Sequence, residues 1–142
     1  METIEKTVVS ISARVNAPVK KVWNCWNTPD DIIHWCSGSV DWHTPRAEND
    51  LRVGGKFLTR MEAKDGSMGF DFEGVYNSIK TNELIEYVIG DGRKVKIEFT
   101  SRENHTEIFE TFETEGTNHV EMQRAGWQTI LDNFKNYVES KK

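Results

Sequence analysis

The sequence predicts an α+β domain in which a twisted antiparallel sheet packs against helices on one of its faces. Three observations predict it. A stretch of period-two alternation, TVVSISARVNAP, lies near the N-terminus and is followed at once by two short helical patterns. A run of alternating segments then extends to the HTEIFETFETE stretch, punctuated by Asp-Gly pairs at 65–66 and 91–92. Finally, the segment GWQTILDNFKNYV, residues 126–138, carries apolar residues at helical spacing. The implied order is β-α-α-β6-α.

In the first strand Val9, Ile11, Ala13 and Val15 share a face. Pro18 opens a short helix that sets Val19, Val22, Trp23 and Trp26 on one side. Thr28 is a good N-cap, Pro29 fits the first helical position, and Asp30 and Asp31 suit the positive end of the helix dipole. A second helix therefore follows. SVDWHTPRAE alternates loosely, and DLRVGGKFLTRMEAKDGSMGFDFEGVYNSIK reads as two strands joined by a turn at Asp65-Gly66. NELIEYVIG is another strand, and Asp91-Gly92 turns it into RKVKIEFTS. There Val95, Ile97 and Phe99 oppose Lys94, Lys96 and Glu98 across the strand. Glu103-Asn104 turns the chain into HTEIFETFETE. The strands are mostly antiparallel, because their connections are short. The closing helix spans roughly residues 118–140, or about 34 Å at ~1.5 Å per residue. Burying Trp127, Ile130, Leu131, Phe134 and Val138 stabilises the fold by roughly 1.5–3 kcal/mol each, as an upper bound.

No repeat, low-complexity run or linker divides the 142 residues, so residues 1–142 read as a single domain. The net charge of −5 gives a phosphate backbone no basic face to bind, which argues against a nucleic-acid partner. No apolar signal core or transmembrane stretch appears, so no membrane partner is expected and a cytoplasmic location is the default. Cys25 and Cys36 read as reduced core thiols. His34, His43, His105 and His119 are scattered, with none at metal-ligand spacing, and the serines form no nucleophile elbow. No metal, no cofactor and no catalytic residue is assigned. Gly54-Gly55 lacks the longer pattern of a phosphate loop and reads as a strand-entry turn or bulge. The 5 Trp and 7 Phe fill a large core or line a pocket for an apolar ligand.

Four segments, in order, carry a family resemblance: VNAPVKKVWNCWNTPDDIIHW, DLRVGGKFLTRMEAKDG, FEGVYNSIKTNELIEY and ETFETEGTNHVEMQRAGWQTILDNFKNYVE. They resemble the branch of the START-like (SRPBCC) superfamily related to the C-terminal domain of the activator of the heat-shock protein 90 ATPase. The resemblance covers about residues 8–139. It implies the helix-grip, Bet v 1-like fold, in which a curved antiparallel sheet grips a long C-terminal helix. It also implies a cavity between the two.

By that analogy together with strand alternation, the candidate pocket takes Trp23, Trp35 and Trp42 from the first half of the chain. Phe57, Phe70, Phe72, Tyr76 and Phe112 come from the strands. Trp127, Ile130 and Phe134 form the roof, while Leu131 and Val138 seal the core. The alternative is that these aromatics make a close-packed core. Glu110 joins the set if its neighbours Ile108 and Phe112 face inward. A carboxylate there needs a cation or hydrogen bonds, or its pKa rises. Arg46, Arg60, His43 and Gln123 are the available partners, and a plain structural salt bridge or a solvent-facing strand is the alternative. The expected function is the binding of a small hydrophobic or aromatic molecule. Two alternatives stand beside it: a chaperone-associated or stress-response interaction protein, and a polyketide cyclase/dehydratase-like enzyme using Glu110 with His43 or an arginine. Monomer and homodimer both remain open.

Overall fold

The computed structural model describes residues 7–36, 41–114 and 119–141. In chain order the elements are β1 (Val8–Val15), α1 (Val19–Asn27), α2 (Pro29–Trp35), β2 (Trp42–Asn49), β3 (Lys56–Ala63), β4 (Gly69–Lys80), β5 (Leu84–Ile89), β6 (Lys94–Ser101), β7 (Thr106–Glu113) and α3 (Val120–Ser140). This is the expected order. Asn118, expected in the last helix, lies outside the described residues.

The seven strands form one antiparallel sheet in the order β1-β7-β6-β5-β4-β3-β2. It curls into a half-barrel with α3 along its concave side. The chain's first two strands are the two edges, and α1 and α2 lie in the connection between them. Alternation sets the inner face: Ile85, Tyr87 and Ile89 are buried along β5, and Val95, Ile97 and Phe99 along β6. On β7 the buried set is Ile108, Glu110 and Phe112. On β4 the phase changes once. The register with β5 shifts between Tyr76 and Ser78, so Tyr76 pairs with Tyr87 and the next inward pair is Ile79 with Ile85. One extra residue has reset the face that each side chain takes.

The turns follow the residues that permit them. Gly66 and Gly92 hold φ of 78° and 93° at the two Asp-Gly turns. At the entry to β3, Gly54 has φ of 83°, and a Cβ on Gly55 would stand 2.1 Å from the Asp50 carbonyl oxygen. The glycine pair is therefore a turn that only glycine fits. Two helix starts differ from expectation. Pro18 is the residue before α1, extended at ψ 150°, rather than part of its first turn. Thr28 does precede α2, but its hydroxyl donates back to the Asn24 carbonyl at 2.7 Å instead of capping α2.

At one end the three helices converge. Phe134 of α3 sits 4.8 Å, ring to ring, from both Trp26 and Trp35. Phe99 meets Trp23 at 5.3 Å and Trp26 at 5.7 Å. The Trp35 indole Nε1 donates to the Cys25 carbonyl at 3.0 Å, and Cys25 and Cys36 are both buried free thiols. Beyond this cluster the Tyr137 hydroxyl donates to Asp31, and Lys141 Nζ lies 2.5 Å from Asp31 Oδ1. These contacts fasten the end of α3 to α2. Among the described residues no helix is long and apolar enough to cross a membrane.

Candidate functional site

At the other end α3 crosses the concave sheet alone and leaves a cavity of about 410 Å³. Its floor includes Phe57, Thr59, Phe72, Tyr76 and Tyr87 from β3, β4 and β5. Trp127, Ile130 and Leu131 form the roof, and Trp26, Trp35 and Cys36 close the end nearest the packed cluster. Phe70 and Met122 also line it, yet they are 47% and 62% exposed and so mark its mouth.

Local structure aims these rings. Gly74 faces Phe57 across the β3–β4 pair. A Cβ on Gly74 would stand 2.8 Å from both a Phe57 ring carbon and the Val88 carbonyl oxygen, so the missing side chain is what lets Phe57 lie flat over β4. Phe57 then packs edge-on to Tyr87 at 4.7 Å and against Tyr76 at 5.4 Å. The Tyr76 hydroxyl donates to Asn49 Oδ1, which holds that ring at the cavity wall. In the roof, Trp127 stacks on Phe112 with centroids 4.0 Å apart and planes 7° off parallel.

One charged group belongs to the floor. Glu110 is 5% exposed, flanked across the sheet by Ile97 and Ile11, and lines the cavity. Among the described residues it makes no hydrogen bond or ion pair. Burial pushes its pKa up to about 8, because no compensating donor or cation stabilises the ionised form. Two other titratable groups of the wall feel it. Burial, and then the nearby Glu110, pushes the Cys36 thiol up to about 12 and drives the Tyr87 phenol well above its ordinary range. Both stay neutral at physiological pH. Arg93 also lines the cavity, and its Nε is paired to Asp91 at 2.7 Å.

Of the twelve pocket residues expected from sequence, the cavity brings together Trp35, Phe57, Phe70, Phe72, Tyr76, Glu110, Trp127 and Ile130. Four do not line it. Trp23 is on the side of α1 that meets Phe99. Trp42 is behind Phe70, 5.9 Å away on edge strand β2. Phe112 is fully buried beneath Trp127, which takes the cavity side of the stack. Phe134 is fully buried between Trp26 and Trp35. Leu131, expected to seal the core, is buried in it at 1% exposure and also borders the roof. The expected partners of Glu110 divide likewise. Arg46 pairs with Glu48, Arg60 with Glu62 and Asp71, and His43 lies 3.9 Å from Glu62, so none of the three turns to Glu110. Gln123 does reach the cavity. The acid–base pair of Glu110 with His43 or those arginines is therefore not assembled.

Sequence reading missed Tyr87, although the Ile85–Tyr87–Ile89 alternation of β5 carries the signal. It also missed Trp26, which shares the apolar side of α1 with Trp23, and Arg93, which sits in a turn where alternation says nothing. Among the described residues no group of three His, Cys, Asp or Glu side chains could hold a metal ion.

Known proteins share this architecture. The solution structure of an AHSA1-like protein from Aeromonas hydrophila is 44% identical with a TM-score of 0.89, covering 94% of this chain and 93% of that one. The solution structure of a Cytophaga hutchinsonii protein is 55% identical with a TM-score of 0.80, covering 92% and 90%. A crystal structure of a Nitrosomonas europaea protein is 19% identical with a TM-score of 0.83, covering 95% and 96%, and shows the fold alone. None of the curated proteins matches the chain. The family profile described as activator of Hsp90 ATPase homolog 1-like protein matches residues 16–139, and the chain belongs to that family, a START-like one.

Proposed function

We propose that this START-like domain is a binding module that holds a small apolar or aromatic molecule between its sheet and α3. The observation that carries this reading is the cavity of about 410 Å³, walled by aromatic rings and open at Phe70 and Met122. Its size falls in the range of pockets that enclose small organic ligands, roughly 300–1,000 Å³. Glu110 and the Asn49–Tyr76 pair supply the few polar groups such a site uses to orient its guest. A cytoplasmic setting is part of the proposal.

The test is an NMR titration of ¹⁵N-labelled protein with a panel of neutral two-ring aromatics. At least one compound is expected to shift the amides of Tyr76, Tyr87, Trp127 and Ile130 in a saturable way. If no compound moves them, or if shifts spread over the outer sheet face, the reading fails. The family's description supports a second reading, a partner of an Hsp90-type chaperone. Stimulation of the purified chaperone's ATPase by this chain is its measure, and no effect at saturation ends it.

A further inference from the structure

We infer that Glu110 receives its ligand as a neutral carboxylic acid and donates its proton in a hydrogen bond to an uncharged acceptor oxygen on the guest, so that occupancy is set by pH. This inference rests on the preceding reading of the cavity as a ligand site. The geometry is its basis. Glu110 is the acidic member of the cavity lining, it is almost wholly buried, and among the described residues nothing bonds to it. Its carboxyl faces the open cavity with no protein partner among those residues, so an occupant that displaces water from it has to supply the match or leave a costly unmatched polar group.

The groups facing Glu110 narrow what that match is. Cys36 from the end of α2 and Tyr87 from β5 are neutral. Ile11 on β1 and Ile97 on β6 are apolar. From α3 come Trp127, Leu131 and Gln123, and from β3 Thr59 and Met61, none of which titrates. Arg93, the cation of the lining, is engaged by Asp91. Glu110 is thus the group of this wall that changes charge between pH 6 and 10, and with a pKa of about 8 it is mostly protonated at neutral pH. A neutral acceptor meets a donor already in place. A cationic guest would first have to strip the proton and would bind more tightly as pH rises, the opposite dependence. An anionic guest would meet repulsion from whatever fraction is ionised.

The probe is 6-propionyl-2-(dimethylamino)naphthalene, an uncharged two-ring fluorophore whose emission reddens when its carbonyl accepts a hydrogen bond. Its propyl analogue, which lacks the carbonyl oxygen, is the control. With the intact chain the carbonyl probe is expected to bind with a constant Kd below about pH 8. Above that pH its Kd rises about tenfold per unit, as the protonated fraction falls. Glu110→Gln keeps an N–H donor and should bind with a flat pH profile. Glu110→Leu keeps the apolar wall and should lose about tenfold for the carbonyl probe, together with its red emission, while holding the propyl analogue as well as before. Equal affinity of the carbonyl probe for the intact chain and Glu110→Leu overturns the inference while leaving the cavity reading intact. An affinity that climbs with pH overturns it too. Failure of both probes to bind the intact chain removes the cavity reading and this inference together.

Discussion

The two ends of the space between sheet and helices are built from the same kind of residue and reach opposite results. At one end Trp23, Trp26, Trp35, Phe99 and Phe134 lie 4.8–5.7 Å apart and leave no room. At the other, Phe57, Phe72, Tyr76, Tyr87 and Trp127 make ring contacts of 4.7–6.5 Å around a cavity of about 410 Å³. The difference is in what covers the sheet. Three helices converge over the first end, whereas α3 alone spans the curved sheet over the second. Two polar groups follow the same contrast, although the Tyr76–Asn49 pair at the cavity wall is bonded and, among the described residues, Asn27 Oδ1 at the end of α1 is not. The Trp35 indole at the packed end has its acceptor, while the Glu110 carboxyl at the open end has none among the described residues. Aromatic content is therefore no measure of a pocket; the number of elements laid over the concave face is.

The largest expected effect breaks this contrast at its packed side. Phe134→Ala removes a ring held between two tryptophans and leaves a cavity that its neighbours cannot fill, for a loss of about 3–5 kcal/mol. Ile130→Ala removes methyl groups that already border open space, and should cost about 1–2 kcal/mol. Urea unfolding of both variants measures the difference. Equal costs would mean that the cavity is closed in solution.

The second effect belongs to the open side and depends on pH. In the folded chain Glu110 keeps its proton up to about 8, whereas the unfolded chain releases it near 4.5. Between those values the folded state holds the extra proton. The contribution of this group is thus fully present below 4.5 and is lost as pH rises toward 8. Glu110→Leu has no such loss. Its stability relative to the parent chain should rise by about 2–4 kcal/mol between pH 4.5 and 9, less than the full shift implies because water enters the open cavity. Parallel urea unfolding at both pH values gives the number, and a difference that is flat with pH would mean that Glu110 titrates normally.

The same contrast explains what the sequence made legible. Element order, the Asp-Gly turns and the inward phase of β5, β6 and β7 follow from periodicity that nothing interrupts. Glu110 was found because it sits between Ile108 and Phe112 on such a strand. Phase on β4 was harder, since the irregularity after Tyr76 moves the inward set by one residue and no glycine or proline marks it. The division of aromatics between core and cavity was not legible at all. Trp127 and Phe134 are seven residues apart on one face of one helix, and only the arrival of α1 and α2 over Phe134 separates their fates. That arrival is a tertiary fact with no local signature. Arg93 was out of reach for a similar reason, because the turn before β6 sets its direction.

The smallest expected effect sharpens the comparison by asking whether the two ends are coupled. The Tyr137 hydroxyl and Lys141 both engage the buried Asp31, and this clasp holds the end of α3 against α2. Tyr137→Phe removes one donor and leaves the ion pair, so about 1 kcal/mol of stability should go. The ring remains to stack on His34 at 5.8 Å, so packing changes little. Because α2 also carries Trp35 and leads into Cys36 at the cavity's end wall, loosening the clasp tests whether that wall depends on it. Phe134 and the tryptophans already fix α2 from inside. The affinity of the carbonyl probe should therefore stay within about twofold while the unfolding midpoint falls. If the affinity drops in step with stability, the packed end is not an independent buttress, and the cavity's shape is set by the far end of the gripping helix.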